Sequence, residues 1–259
     1  MLRNITILAG VNKAGVKEKF SEITLKAGET ISIVGPTGSG KTAFINDIEL
    51  LAQGDTATKR RIVINDKIPG DEVRYNPDMK PIAMITQNTK CFTDLTVEEF
   101  LLIHARARRI NSGELINDTI NLANNFTGEK IHKKDRVTTL SGGQTRAFLI
   151  ADAILIGAAP IILLDEIENA GIFKQEVIKI IRDTGRIIIF VTHDPVIALS
   201  TKRRIVMDNG AVKKIIAQNE VERSAADSLV ELDQMLGVIR EELRAGNLIT
   251  EKLASYKIV

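Results

Sequence analysis

Hydrophobic residues along this chain follow two spacings, and the points where one gives way to the other outline its elements. Alternation over Leu2–Leu8 and a second run over Phe20–Lys26, closed by Ala27-Gly28, predict strands in a β-rich opening segment. The unbroken apolar run Ile31–Val34 predicts a buried strand, and Ala43–Ala52 a helix. Residues 60–75 return to strand-like patterns, and Pro77 and Pro81 punctuate a loop before a strand over Ile82–Thr86. A helical lobe follows, over about 89–140. It opens on the capping-box pair Thr96 and Glu99, each able to satisfy the other's orphan N–H, and its first helix should run to about Arg109. Ser112 opens a second helix through Phe126, and a polar stretch over 127–138 leads out of the lobe.

Beyond the lobe the pattern predicts a helix (142–157), a buried strand (161–165), a short helix (173–184) stopped by Gly185, and a strand (186–192). Apolar strands separated by helices imply an α/β fold with a mainly parallel sheet covered on both faces. The tail from about 216 has another rhythm. Ala225, Leu229, Leu232, Leu236, Ile239 and Leu243 recur at spacings of 4, 3, 4, 3 and 4, a narrow a/d seam. It predicts an amphipathic helix, packed either on its own domain or against a partner. The organisation expected is therefore a core over 1–215 and a C-terminal helical extension over 216–259.

Composition narrows the function classes. An apolar fraction of 44% and a charged fraction of 26% are those of an ordinary globular chain. With 35 basic against 33 acidic residues, the net charge of +2 gives no reason to expect direct nucleic-acid binding. Cys91 is the only cysteine, which excludes an internal disulfide and fits a reducing, cytoplasmic compartment. The apolar runs are strand-length, well short of the roughly 20 residues that cross a bilayer, and no signal-peptide pattern is present. Membrane association is expected only through a partner.

Chemistry enters at Gly35-Pro36-Thr37-Gly38-Ser39-Gly40-Lys41-Thr42, which follows the Ile31–Val34 strand and leads into a helix. Its glycines let successive N–H groups turn inward on a phosphate at the positive end of the helix dipole. Lys41 adds a point charge for the β- and γ-phosphates, and the Thr42 hydroxyl is a ligand for Mg²⁺. Asp165 and Glu166 end the 161–165 strand, which is expected to lie beside the phosphate-loop strand. There Asp165 would hold Mg²⁺, directly or through water, and Glu166 would polarise a water in line with the γ-phosphate. Leu140-Ser141-Gly142-Gly143-Gln144 reads in one way as a well-capped helix start. In another it is a second helix N-terminus open to phosphate.

Taken together these segments resemble the ATP-binding cassette (ABC) family of ATPases over about residues 1–215. The match is one of order and content: phosphate loop at 35–42, Gln87 after a strand, LSGGQ at 140–144, the Asp165-Glu166 pair, and His193 after a strand. The resemblance implies a P-loop NTPase core with an N-terminal antiparallel β subdomain and an inserted α-helical subdomain. It also implies ATP and Mg²⁺ as ligands, and a second ABC subunit, in a homodimer or heterodimer, whose Ser141–Gln144 segment closes over ATP. On the same basis Gln87 contacts Mg²⁺ or the attacking water, and His193 contacts the γ-phosphate and orients that water.

Three departures stand out. Ile172 occupies the place where the family carries a cross-site Asp, after an unusual Glu168-Asn169-Ala170-Gly171 stretch. Asp165 to His193 spans only 28 positions (193 − 165), a short interval. Residues 1–19 hold no aromatic side chain for stacking adenine, which leaves Val11, Val16 or another apolar surface to support the base. Three uses of the engine follow. It drives a separate membrane permease, whose docking surface would lie on residues 91–110. Alternatively it remodels a soluble protein, metal-cofactor or nucleic-acid complex, or acts as a nucleotide-gated binding module. Phe92, Leu95, Phe100 and Leu101 are the apolar candidates for docking; Arg106, Arg108 and Arg109 beside them read equally as a solvated face.

Overall fold

The computed structural model of the protein describes residues 2–86, 88–110, 113–167 and 172–248. Two sheets organise it. Strand β1 (Asn4–Leu8) pairs antiparallel with β2 (Glu22–Lys26) on one side and β4 (Arg61–Ile64) on the other. The larger sheet holds β3 (Thr30–Val34), β5 (Ile82–Ile85), β6 (Ile161–Asp165), β7 (Ile187–Val191), β8 (Arg203–Asp208) and β9 (Ala211–Ala217). Its order is β5-β6-β7-β3-β8-β9, parallel throughout except for β9 at one edge. The expected α/β architecture, with an N-terminal antiparallel sheet, is the one observed.

Side-chain alternation divides the apolar residues between two cores. Ile162, Leu164, Ile188 and Phe190 face one way, into a core shared with helices α3 (Val97–Ala107), α4 (Gly113–Phe126) and α5 (Gly142–Leu155). Ile161, Leu163, Ile187, Ile189 and Val191 face the other way, toward α1 (Lys41–Glu49) and the three-stranded sheet. The helical lobe thus hangs on the same apolar layer that carries the strands of the site. Helices α6 (Lys174–Arg182) and α7 (Pro195–Leu199) complete the crossovers between strands.

Sequence and structure part in three places. Residues 60–75 hold only the short strand β4, followed by helix α2 (Asp71–Tyr75). Asn65 and Asp66, at φ 50° and 63°, turn the chain tightly after Ile64. Pro69-Gly70 then stops any return to strand, and Asp71 and Glu72 favour the positive end of α2. Second, β6 does not lie beside β3, because β7 is inserted between them and pairs with both. Third, helix α8 (Glu220–Arg244) docks on the domain through a face one residue round from the leucine seam. Ala226 is buried and Asp233 reaches Lys174 at 3.4 Å, whereas Leu232, Leu236 and Leu243 are 41%, 50% and 60% exposed.

The start of α8 is fastened by a bidentate pair, Arg204 Nη1 and Nη2 donating to Glu222 Oε2 and Oε1 at 2.9 and 2.5 Å. The side-chain hydrogen bond from Arg204 holds the Glu222 carboxyl below its ordinary value of 4.5. A group with a lowered folded pKa stabilises fully above its unfolded pKa, and loses that contribution as pH falls through the folded value. Melting temperature should therefore fall more steeply in the wild type than in Glu222→Gln between about pH 5 and pH 3. Parallel curves would show that the pair does not fasten α8.

Candidate nucleotide site

The phosphate loop begins where β3 ends. Gly35 is boxed in: a Cβ there would sit 2.4 Å from the Met207 carbonyl oxygen and 2.7 Å from Ser39 Oγ. Gly40, at φ 97°, caps α1 without any side-chain hydrogen bond, and a Cβ on it would meet Gly210 Cα at 2.8 Å. The first N–H groups of α1 are thus left for an outside acceptor, at the positive end of the helix. Ser39 Oγ is buried without a hydrogen-bond partner, an arrangement that costs about 1–3 kcal/mol unless something else bonds it. Lys41, only 7% exposed, donates from Nζ to the carbonyl oxygens of Gly35 (2.8 Å) and Pro36 (3.2 Å). Thr42 presents its hydroxyl on the exposed side of the first turn. An uncapped helix start and an ammonium meet on one tight loop, and the group they fit is a phosphate.

Across β7 from this loop, Asp165 ends β6 and Glu166 follows at φ 50°, its N–H donating to the Val191 carbonyl oxygen at 2.9 Å. His193 comes off the end of β7, and its Nε2 lies 3.1 Å from Glu166 Oε1. The structure therefore brings together two residues 27 positions apart (193 − 166) that the sequence offered separately. Both remain partly open to solvent, His193 at 47% and Glu166 at 27% of side-chain surface.

The Ser141–Gln144 segment opens α5. Ser141 Oγ accepts from Gln144 N at 3.3 Å, and Gln144 Oε1 accepts from Ser141 N at 2.9 Å, so the capping box is formed. Gln144 Nε2 also donates to the Lys130 carbonyl oxygen at 3.2 Å, tying the helix start to the polar linker. Among the described residues no hydrogen bond or ion pair joins residues 141–144 to residues 35–42.

Residues 19–169 match the ABC transporter family. The chain belongs to that family. It is 46% identical over 257 residues to an uncharacterized ABC transporter ATP-binding protein of Methanocaldococcus jannaschii, covering 99% of this chain and 98% of that one. A thiamine import ATP-binding protein of Brucella suis is 31% identical over 227 residues, covering 83% and 90%. In fold, the chain is similar to a dimeric ATP-binding cassette bound to ADP and Pi. The TM-score is 0.64 at 23% identity, over 83% of this chain and 99% of that one. As an ABC protein it binds and hydrolyses ATP.

Seen as an ABC site, the structure adds residues that no motif marks. The turn over 11–17, upstream of the loop and without an aromatic, folds directly against it. Asn12 Oδ1 accepts from the N–H groups of Ala14 and Val16, and Lys13 Nζ donates to the Gly38 carbonyl oxygen at 2.6 Å. Val16 stands 60% exposed on that turn. Lys174 grips the segment after His193, with Nζ 2.5 Å from Asp194 Oδ2, while Asp194 Oδ1 caps α7. Ile172, where the family carries an Asp, is buried in the core of the lobe. Next to it the N–H of Phe173 donates to the Phe126 carbonyl oxygen at 2.8 Å. That position therefore braces α4 against α6. Gln87 and the Glu168–Gly171 stretch lie outside the described residues, as does Ser112.

Proposed function

We infer that this chain is the ATP-hydrolysing subunit of a membrane transporter. Two cassettes close over ATP, and a permease docks on the helical lobe. The phosphates are held by the N–H groups of Gly35–Thr42 and by Lys41. Thr42 and Asp165, hard oxygen donors, would hold Mg²⁺ together with Gln87, and the ion would supply positive charge against the negative charge of the phosphates. Glu166 takes the proton of the attacking water, and His193 keeps the Glu166 carboxylate and that water aligned. Ser141, Gly142, Gly143 and Gln144 of the second cassette, a homodimer mate or a related subunit, cover the γ-phosphate.

The observation that carries the transport reading is an apolar groove on the lobe, about 400 Å³, walled by Leu95, Phe100, Ile103 and Ala107 with His104 and Asp152 at its polar end. His104 Nδ1 lies 2.8 Å from Asp152 Oδ1, which stiffens the groove. Phe92 is 90% exposed and Ile103 53% exposed. Exposed large apolar side chains rimmed by polar ones mark interaction sites. Among the described residues no helix is long and apolar enough to cross a membrane. The similarity to a thiamine import subunit supports a cassette that works with a separate permease, held peripherally on the cytoplasmic face.

Tagged wild-type chain purified from detergent-solubilised cells should bring down a polytopic membrane protein, and Phe92→Ser/Ile103→Ser should lose it while keeping ATP turnover. Equal capture by the double variant, or only soluble companions in the wild type, would contradict permease docking.

A further inference from the structure

A large cavity lies far from the nucleotide loop, at the opposite end of the main sheet. It opens between the β2–β3 turn, the C-terminal end of α6, the end of α7 and the first turns of α8, with a volume of about 740 Å³. Thr30, the first residue of β3, lines it, and the phosphate loop starts after the last. Five residues of strand separate the two sites by about 17 Å. The volume falls within the range of small-molecule sites, about 300–1,000 Å³.

Its electrostatics are lopsided. Lys26, Arg182, Lys202 and Arg223 line it, against the acids Glu29 and Asp227. Glu29 is already paired with Arg203 at 2.8 Å. Arg182 donates to the Ser200 carbonyl oxygen, which leaves its positive charge uncancelled. Lys26, Lys202 and Arg223 have no acidic partner among the described residues. Positive groups gathered around a concavity with low-dielectric walls concentrate anions there, whereas the same charges spread over a convex surface would not. The chain as a whole is close to neutral at +2, so this excess is local.

Two wall residues add directional groups. Thr30 Oγ1 and Gln175 Nε2 are buried without hydrogen-bond partners. A hydroxyl and an amide N–H are both donors that a phosphate oxygen accepts. Both residues line the cavity, and an anion bound there would offer these two groups the acceptor they lack.

We propose that this cavity binds a small phosphorylated acid distinct from the nucleotide, and that its occupancy fastens α8 to the core. Arg223 belongs to α8, whereas Lys26, Thr30, Gln175, Arg182 and Lys202 belong to the body of the domain. An anion between them bridges the two. Phosphate suits this wall better than a lone carboxylate because it accepts from several donors at once and carries the charge to match them. The site is independent of the transport reading, since neither the permease groove nor the second cassette contributes to it.

The test uses the full ¹⁵N-labelled chain saturated with MgADP, titrated with 3-phosphoglycerate, and with KCl at matched ionic strength. The amide signals of Gly28, Thr30, Gln175, Lys202 and Arg223 should shift saturably with 3-phosphoglycerate and not with KCl. Amide exchange over residues 220–230 should slow severalfold. Lys202→Ala/Arg223→Ala, both exposed positions, should bind the probe at least about tenfold more weakly, the loss of about 1.4 kcal/mol from two charged contacts. Its melting temperature and MgADP affinity should match the wild type. Shifts that KCl reproduces, unchanged α8 exchange, or equal affinity in the double variant would each overturn the proposal.

Discussion

Replacing Glu166 by Gln should lower steady-state phosphate release at least about a hundredfold while ATP affinity stays close to wild type. The carboxylate stands 3.1 Å from His193 Nε2 and partly open to solvent, where a water can reach it. Glutamine has nearly the same shape and still hydrogen-bonds His193, so the arrangement of β6 and β7 around it survives. What the amide cannot do is accept a proton from the water as it attacks. General-base assistance contributes typically 10²–10⁴ in rate, which sets the expected loss. Turnover at the wild-type rate would move the base to another residue. The φ of 50° at Glu166 constrains the choice of variant, because a β-branched residue there would add backbone strain and mix two effects.

The largest effect on stability is expected from Arg60→Met, about 3–5 kcal/mol by chemical denaturation. Arg60 is fully buried, and each of its three guanidinium nitrogens donates. Nε and Nη2 donate to the two oxygens of Glu18 at 2.9 and 2.7 Å, and Nη1 to Asp47 at 3.0 Å. Nη2 also donates to the Gly210 carbonyl oxygen at 2.8 Å, and the group lies over the Phe44 ring at 4.9 Å. Methionine fills much of the volume but leaves two carboxylates buried with no counter-charge. Replacing Glu18, Asp47 and Arg60 together by Gln, Asn and Met should recover part of the loss, since desolvation then falls on neutral groups. A loss below about 1 kcal/mol in the single variant would mean that water enters and screens the triad. The network also matters to the site. Asp47 lies on α1, and the N–H of Gly210 donates to the Ser39 carbonyl oxygen at 2.8 Å, so Arg60 clamps both sides of the phosphate loop.

Much of this was legible in the residues. The strands from Thr30 to Val34 and from Ile161 to Asp165 were readable because each is a short apolar run ending at a glycine loop or paired acids. The helix starts at Thr96 and Ser141 were readable because capping is a local contract between residues three apart. Legibility ended where contacts cross the chain. Arg60 looked like one more strand residue, since its partners are 42 and 13 positions away. Lys13 acts through a backbone carbonyl 25 positions on, a contact that leaves no side-chain signature. The order of β6, β7 and β3 follows from how crossover helices pack, which spacing alone does not encode. In α8 the leucine seam pointed to one face, but docking selected the adjacent stripe, where a small Ala226 allows close approach and Asp233 reaches Lys174. The exposed leucines that remain explain why the seam was so visible.

The closure of two cassettes over ATP is tested most directly by light scattering on purified Glu166→Gln with saturating MgATP. Pairing predicts that the mass doubles from 28.5 kDa when ATP is added, returns when ATP is removed, and fails to double when Ser141 is also replaced by Arg. A single-chain mass at saturating MgATP with no related cassette able to complete the pair, or doubling that ignores the Ser141→Arg change, would contradict a nucleotide shared between Lys41 of one chain and Ser141 of another.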